Sequence, residues 1–241
     1  AIQRTIYSVK DFLLTNQKEW LDNLNSHVSM VMNENPSDSQ VTAWKDCYDV
    51  LIEKFNKIDY GEGNYFIFEY ELERERGRRP DVLLLTGNTL YVLEFKQHGK
   101  PSLAQIDQAK GYGRDLSNYH EQTHHLNVQT LLILTGAVKY EKKVNNVLIL
   151  SSDKVPIYFS NKLNSPFIQD ILLWFNSSYK PLPSLMIATK LFFNKEELPQ
   201  IKRATSAGIP ETLKQITSIV NASNNEYNLI LLTGVPGAGK T

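Results

Sequence analysis

The pattern of apolar residues predicts a β-hairpin in the first half of the chain. Two runs of β-favouring residues, 82–85 and 90–95, flank the short sequence Thr86-Gly87-Asn88-Thr89. Gly87 and Asn88 tolerate positive φ and suit a two-residue hairpin loop. This turn sets the register of the hairpin, and the register decides which side chains share a face of the sheet.

The other elements follow from the spacing of apolar residues along the chain. Helical spacings predict helices within 2–32, over 41–58, from 103 onwards, over 167–175 and over 210–220, with Ser8 as an N-cap. Strand-type runs predict strands at 65–72, 131–135, 147–150 and 228–233, and an edge strand at 156–159. Helices that alternate in this way with strands indicate an α/β protein.

The composition is that of an ordinary globular chain, with 241 residues, 41% of them hydrophobic and 22% charged. The formal net charge is zero, so any nucleic-acid-binding surface must be local. Cys47 is the only cysteine, which excludes a disulfide within the chain and favours a reducing compartment. No apolar run approaches the roughly 18 residues that span a bilayer, so we expect a cytoplasmic protein with no membrane partner.

The hairpin register brings three charged residues together. It places Asp81 directly opposite Glu94, and like charges that face each other in a sheet are destabilising. Lys96 lies two residues after Glu94 and therefore on the same face. Two carboxylates on a rigid sheet suit a hard divalent cation such as Mg²⁺, and the lysine can orient a water molecule. An ordinary hairpin with a surface salt bridge is the alternative interpretation.

A helix is predicted just after this hairpin. Ser102 and Gln105 have the spacing of a capping box, so the helix should begin near Leu103. Its buried stripe is formed by apolar and small residues at helical spacing, namely Ile106, Ala109, Gly113 and Leu116. Gln108 and Tyr112 lie one turn apart on another face and can reach a common partner. An exposed amide and a packed phenol would be the simpler explanation.

These residues together resemble the PD-(D/E)XK nuclease superfamily over roughly residues 40–160. Pro80-Asp81 and Glu94-Phe95-Lys96 look like the superfamily motif, and Gln108 with Tyr112 resembles the Gln-x-x-x-Tyr element of its RecB-type members. The resemblance implies a mixed central sheet flanked by helices and a nuclease that depends on Mg²⁺ or Mn²⁺. It further implies that Asp81, Glu94 and the Phe95 carbonyl bind the metal, while Lys96 positions the nucleophilic water.

Further site residues are less clearly marked. Glu69 lies in a segment that resembles one found in nuclease domains fused to helicases, which makes it our preferred third metal ligand; Glu53, on a helix, is another candidate. Arg78, Arg79 and Lys100 flank the motif and are candidates for binding a phosphate backbone, or they are a solvated turn and a flexible surface loop. The histidine-rich stretch 120–125 is more simply a polar surface segment or a loop than a metal site.

The end of the chain has a different motif. After the strand predicted at 228–233, the last eight residues fit Gly-x-x-x-x-Gly-Lys-[Ser/Thr], the P-loop, whose backbone amides and lysine bind nucleotide phosphates. The nucleotide-binding residues would be Gly234, Gly237, Gly239, Lys240 and Thr241. This segment resembles the start of a superfamily 1 helicase, but no Walker B acid follows it, so we expect ATP to act only in a longer parent protein.

We therefore expect a nuclease-like domain over 1–178, a linker over 179–205 and the truncated start of a P-loop NTPase domain over 206–241. The leading hypothesis is a metal-dependent nuclease that cuts DNA, fused to a helicase and acting in DNA processing or anti-phage defence. Two alternatives remain, a catalytically inactive nucleic-acid-binding module and a nucleotide-binding module defined by the P-loop. The sequence leaves open DNA against RNA, single against double strands, and endonucleolytic against exonucleolytic cleavage.

Overall fold

The computed structural model describes residues 5–32, 35–72, 77–165, 167–180, 193 and 209–222. The chain divides into two compact units, Ala1–Leu182 and Pro183–Thr241. The P-loop residues and the strand predicted at 228–233 lie outside the described residues, as does most of the predicted linker. In the second unit, one helix, Ile209–Ala222, agrees with the helix predicted at 210–220.

The first unit is built on a mixed seven-stranded sheet. Its strands are β1 (Ile6–Ser8), β2 (Asn64–Phe68), β3 (Val82–Thr86), β4 (Thr89–Lys96), β5 (Asn127–Leu134), β6 (Glu141–Val144) and β7 (Val147–Ser151). The strand order is β1-β2-β3-β4-β5-β7-β6. The β4–β5 and β5–β7 pairs are parallel, and the other neighbours are antiparallel.

Helices cover both faces of this sheet. They are α1 (Val9–Leu14), α2 (Gln17–Met32), α3 (Asp38–Phe55), α4 (Leu103–Tyr119), α5 (Val155–Phe159) and α6 (Ile171–Phe175), with Ile209–Ala222 as α7 in the second unit. Residues of α1, α2, α3 and α5 pack on one face, whereas residues of α4 and α6 pack on the other. The prediction of an α/β fold with a mixed central sheet flanked by helices is confirmed. Among the described residues, no helix is both long and apolar enough to cross a membrane.

The central hairpin has the predicted register. Thr86 pairs with Thr89, and the ladder continues to Val82 opposite Leu93. Gly87 has a φ of +47°, and a Cβ added there would lie 2.2 Å from the Ser165 hydroxyl oxygen, so both the turn and the close approach require glycine. The β3 strand is buried along its whole length because it lies between two other strands and under helices on both faces.

The predicted capping box and buried stripe of α4 are both present. Ser102 accepts a hydrogen bond from the Gln105 backbone amide, and the Gln105 side chain accepts one from the Ser102 amide. The stripe predicted for this helix is buried at all of its four positions, Ile106, Ala109, Gly113 and Leu116. The helix therefore lies against the sheet in the orientation that its sequence predicts.

Several predictions at the edges of the sheet were wrong. The helices predicted within 2–32 are present as α1 and α2, and Ser8 caps α1 as predicted by accepting from the Asp11 amide at 3.0 Å, but the short strand β1 before them was missed. Residues 156–159 form part of α5 instead of an edge strand, since Pro156 suits the first turn of a helix. The edge strand is the hydrophilic β6, which has no apolar run to reveal it and whose charges protect the edge. The helix predicted over 167–175 is confined to α6.

Candidate active site

A cavity of about 570 Å³ lies at the end of the sheet where β2 and β4 end and β3 begins. The α3 helix borders one side of the cavity, and Tyr112 of α4 lines another. Most of the residues predicted for the site line it, namely Glu69, Arg78, Arg79, Asp81, Phe95, Lys96 and Tyr112. The fold thus brings together residues that are far apart in the sequence.

Asp81 and Glu94 are held face to face by the backbone of the hairpin. The Asp81 amide donates to Glu94 Oε1 at 3.0 Å. In return, the Phe95 amide donates to Asp81 Oδ2 at 2.8 Å. These two bonds extend the hairpin register by one pair, so the carboxylates lie opposite each other as predicted. Each acid is fixed by a backbone group of the other strand, and their relative position is therefore rigid.

Lys96 completes this cluster. Its Nζ lies 3.3 Å from Glu94 Oε2 and the side chain is partly buried. Burial alone would lower the pKa of the lysine, but Asp81 and Glu94 together raise it, so the amine is charged at neutral pH. The pKa of Glu94 is raised well above its usual range, first by burial and then by the Asp81 carboxylate. Burial likewise raises the pKa of Asp81, which Lys96 and the Phe95 amide partly offset.

Glu69 lines the cavity in a strained backbone conformation. It has a φ of +50°, which ends β2 at Phe68, four residues before the predicted end of that strand. Its Oε1 accepts a hydrogen bond from Trp44 Nε1 at 2.7 Å. Burial raises its pKa, the Trp44 bond opposes that shift, and the nearby Asp81 adds to it. Such strain in a buried acid is typical of functional sites.

The α3 helix does not bring its predicted acid to the cavity. Glu53 is exposed and pairs with Lys54 and Lys57 instead. Asp46 of the same helix lines the cavity and accepts a hydrogen bond from Gln97, which follows β4. Sequence reasoning missed Asp46, although its position just before the buried Cys47 was a signal that this part of α3 faces inwards.

Gln108 and Tyr112 contact each other as the helical spacing predicts. Gln108 Nε2 donates to the Tyr112 hydroxyl at 2.9 Å. Tyr112 is buried against the core beneath α4, and burial together with Glu94 raises its pKa. Gln108 itself is exposed and is not among the described residues that line the cavity. The phenol is thus both a packed side chain and a neighbour of the carboxylate cluster.

The two arginines are held in different ways. Arg78 forms a 2.7 Å ion pair with the buried Asp115, and its guanidinium lies 5.0 Å from the centre of the Tyr112 ring. A Cβ at Gly111 would approach Arg78 Nη2 to 2.6 Å, so a side chain there would displace the guanidinium from its present position. Arg79 is only 9% exposed and lies near Glu69. Lys100, by contrast, is exposed in the loop after β4 and is absent from the described lining of the cavity.

The donor set fits a cation that prefers oxygen ligands. Across the described residues, no group of three or more His, Cys, Asp and Glu side chains is arranged to hold a metal. Asp81 and Glu94 nevertheless supply one half-buried and one buried carboxylate in a fixed relative position, and no described residue makes a hydrogen bond to Asp81 Oδ1. Their raised pKa values reflect a site that favours a positive charge nearby. A Mg²⁺ or Mn²⁺ ion would complete its coordination with backbone oxygen and water.

The histidine-rich stretch is not the polar surface segment that its composition indicates. His120 is buried, and its Nδ1 lies 2.7 Å from the Thr123 hydroxyl. Its ring centre lies 4.4 Å from that of Trp174. Burial lowers the pKa of His120 to about 4, so the ring is neutral at pH 7. Residues 121–123 form a 3₁₀ turn between α4 and β5, which agrees with the alternative prediction of a connecting segment.

Comparison of the chain with models of protein families, with curated proteins and with solved structures finds no match. The case for a function therefore depends on the geometry of the cavity and on the chemistry of the residues that line it.

Proposed function

We propose that the first unit is a divalent-metal-dependent nuclease of the PD-(D/E)XK type that hydrolyses phosphodiester bonds of DNA. The observation that carries this proposal is the reciprocal pair of hydrogen bonds that fixes Asp81 and Glu94 face to face. Asp81 and Lys96 line an open cavity, whereas Glu94, which pairs with Lys96, is buried and is not among the described residues of the lining. A hairpin that served only packing would not need a buried glutamate opposite a half-buried aspartate, because their repulsion and desolvation cost stability.

In this proposal, Asp81 and Glu94 hold a Mg²⁺ or Mn²⁺ ion together with the Phe95 carbonyl, and Glu69 is the third acid. When bound, the metal would polarise the phosphodiester and stabilise the charge that develops in the transition state. Lys96 holds the attacking water through its charged amine, whose position is set by Glu94. Tyr112 limits the movement of this cluster from the α4 side. Arg78 and Arg79 line the same cavity and face the negative phosphate backbone of the bound DNA.

A binding module without catalysis is the second candidate, and one observation favours it. Each carboxylate already accepts a backbone hydrogen bond, and Glu94 is also paired with Lys96, so the cluster is held together without a metal. The proposed setting is the same for both candidates, namely a DNA-processing or anti-phage protein in which a P-loop motor lies beyond this unit. Only the nuclease requires that Lys96 act on a water molecule.

Cleavage assays separate these two candidates. Circular single-stranded DNA and plasmid DNA are incubated with Mg²⁺, Mn²⁺ or EDTA, and the wild-type chain is compared with Lys96→Ala. We expect metal-dependent cutting that Lys96→Ala lowers at least about 100-fold, the usual contribution of a residue that acts on the nucleophile. Lys142→Ala, an exposed lysine on the edge strand β6, is the matched control and should cut like the wild type.

The nuclease proposal fails if the wild-type chain leaves both circles, linear DNA and RNA intact with either metal. It also fails if Lys96→Ala and Lys142→Ala cut equally well, because the cutting would then come from another site or from a contaminant. If no cleavage is found, calorimetry with Mn²⁺ on the same samples shows whether the inactive module still binds a metal ion.

A further inference from the structure

Arg79 is a buried cation whose hydrogen-bonding capacity is not fully used within the part of the chain that the structure describes. Its side chain is 9% exposed, and its Nε has no hydrogen-bond partner among the described residues. Its Nη1 and Nη2 lie 3.8 Å from Glu69 Oε2 and 3.7 Å from Glu71 Oε2, which are ion-pair distances but too long for hydrogen bonds. Buried polar groups are normally satisfied, so a guanidinium left in this state indicates a missing acceptor.

The first turn of α3 borders the same cavity. Ser39 and Gln40 belong to this turn and line the cavity together with Arg79. The N-terminal turn of a helix carries partial positive charge, which favours an anion. In α3 the Gln40 amide already donates to Ser37 Oγ at 3.3 Å, and Asp38 places one acid in the same turn. The helix is 18 residues long, so this effect is fully developed. A planar guanidinium beside such a turn matches the geometry of a phosphate group.

The cavity has the dimensions of a single strand. Its α3 wall extends from Ser39 to Asp46, which corresponds to about 10 Å at 1.5 Å per residue. A stacked strand carries one phosphate per about 3.4 Å, so this length matches about three phosphates. A sphere of about 570 Å³ is about 10 Å across. A B-form duplex, whose major groove alone is about 12 Å wide, cannot enter such a space.

We propose that the cavity takes one unpaired DNA strand, with one of its phosphates on Arg79 at the first turn of α3. This inference rests on the proposed nuclease function, since it names the strand that reaches Asp81 and Glu94. A duplex can present its backbone only at the mouth of the cavity, whereas the buried Arg79 guanidinium lies within its walls. The substrate class is therefore single-stranded DNA or an unpaired end.

Glu69 and Glu71 oppose an anion at this place, but they do not prevent its binding. The Glu69 carboxylate is also held by Trp44, whose Nε1 donates to Oε1 at 2.7 Å, so Arg79 is not its only partner. The Glu71 side chain is 43% exposed, so its charge is partly screened by solvent. Both carboxylates lie at ion-pair distance from Arg79, so they hold the guanidinium in place while leaving its N–H donors for a phosphate oxygen.

The experiment measures binding and does not require cleavage. Fluorescence anisotropy follows a labelled dT12 strand in EDTA and again in Ca²⁺, with unlabelled dT12 and a blunt 12-base-pair duplex as competitors. We expect the single strand to compete at least about 10-fold better than the duplex. Arg79→Gln should weaken binding about 10-fold and lower the slope of log affinity against log salt by about 0.7, the value for one phosphate of a single strand.

A second variant tests the same site independently, in case Arg79→Gln does not fold. Ser39→Glu adds a negative charge at the exposed first turn of α3, where an acid is compatible with the helix dipole. It should also weaken binding about 10-fold, with a thermal midpoint close to that of the wild type. Lys143→Gln, on the exposed strand β6, changes the net charge by the same amount as either variant and is the matched control.

The inference is overturned if the duplex competes as well as dT12, if no probe binds in either condition, or if Ser39→Glu and folded Arg79→Gln bind like Lys143→Gln. The proposed function is tested separately. Absent cleavage with the expected binding pattern would remove the nuclease and leave the strand site. Metal-dependent cleavage, combined with unchanged DNA binding by both variants, would support the nuclease and remove the proposed strand site.

Discussion

Near the middle of α4, Tyr112 lies beside two buried carboxyls and a lysine, whereas at the C-terminal end of the same helix His120 is buried against Trp174. Both regions bury titratable groups, but the buried group is neutral in one region and charged in the other. Burial lowers the pKa of His120 to about 4, and the ring is neutral and bonded to Thr123. The carboxylate cluster instead keeps a charged lysine between acids whose pKa values are raised.

Buried polar groups that serve packing are therefore distinguishable from those that indicate a functional site. A neutral histidine that bonds a hydroxyl through Nδ1 fits an aromatic core and costs less to bury than a charged group, although its Nε2 has no hydrogen-bond partner among the described residues. Opposed carboxylates in a cavity are costly, and they persist in a fold when a cation or a substrate makes use of them. The two regions should therefore respond in opposite directions to pH, and only one of them should respond to a metal.

The largest effect should come from Asp81→Asn. Loss of one carboxylate removes half of the acidic pair, so we expect metal-dependent cleavage to fall at least about 1,000-fold, near the upper part of the range for groups that act on the nucleophile. Mn²⁺ affinity measured by calorimetry should fall with it. Asp107→Asn, an exposed aspartate on α4, is the control and should change neither value. Equal Mn²⁺ affinity in the two variants would show that Asp81 is not a metal ligand.

The next effect concerns His120 and stability. Its folded pKa of about 4 lies below the ordinary value of 6.5, so its contribution is complete above that value and is lost as the pH falls towards 4. The shift corresponds to about 3 kcal/mol of unfolding free energy. Urea titrations at pH 7 and pH 4 should show a smaller loss in His120→Phe than in His125→Gln, whose histidine is exposed. Similar losses in both variants would contradict the role assigned to His120.

The smallest effect is expected for Glu94→Gln in the metal-free protein, with the opposite dependence on pH. The folded pKa of Glu94 is raised, so the charge that it acquires in the unfolded chain costs stability as the pH rises above about 4. At pH 8 in EDTA, we expect Glu94→Gln to unfold at a higher temperature than the wild type, by about 1 kcal/mol after loss of the Lys96 pair. At pH 4 the gain should vanish. A variant that is less stable at pH 8 would show that the carboxylate stabilises the metal-free fold.

The parts predicted correctly from the sequence are those in which the partners are close along the chain. The turn Gly87-Asn88 fixes which residues of the hairpin face each other, and this alone placed Asp81 opposite Glu94. The capping box of Ser102 and Gln105 fixed the start of α4 in the same way. Helical spacing was also sufficient to bring Gln108 to Tyr112.

The parts that were missed depend on distant residues. The hydrophilic β6 is a strand because β7 offers it an edge, and no local pattern of apolar residues reveals this. The burial of His120 depends on Trp174, more than fifty residues along the chain. Asp46 meets Gln97 only because α3 crosses the end of β4, so the cavity gains an acid that no motif includes.

The sequence by itself determined the hairpin register, the start of α4 and the cluster of Asp81, Glu94 and Lys96, since turns and caps act over a few residues. The packing of distant segments, by contrast, determines that Asp81 and Lys96 line a cavity, that Glu69 lines it with a positive φ, and that Arg79 is buried there. Burial and pKa depend on every element packed around a group. They arise from contacts between distant segments, which local patterns do not encode.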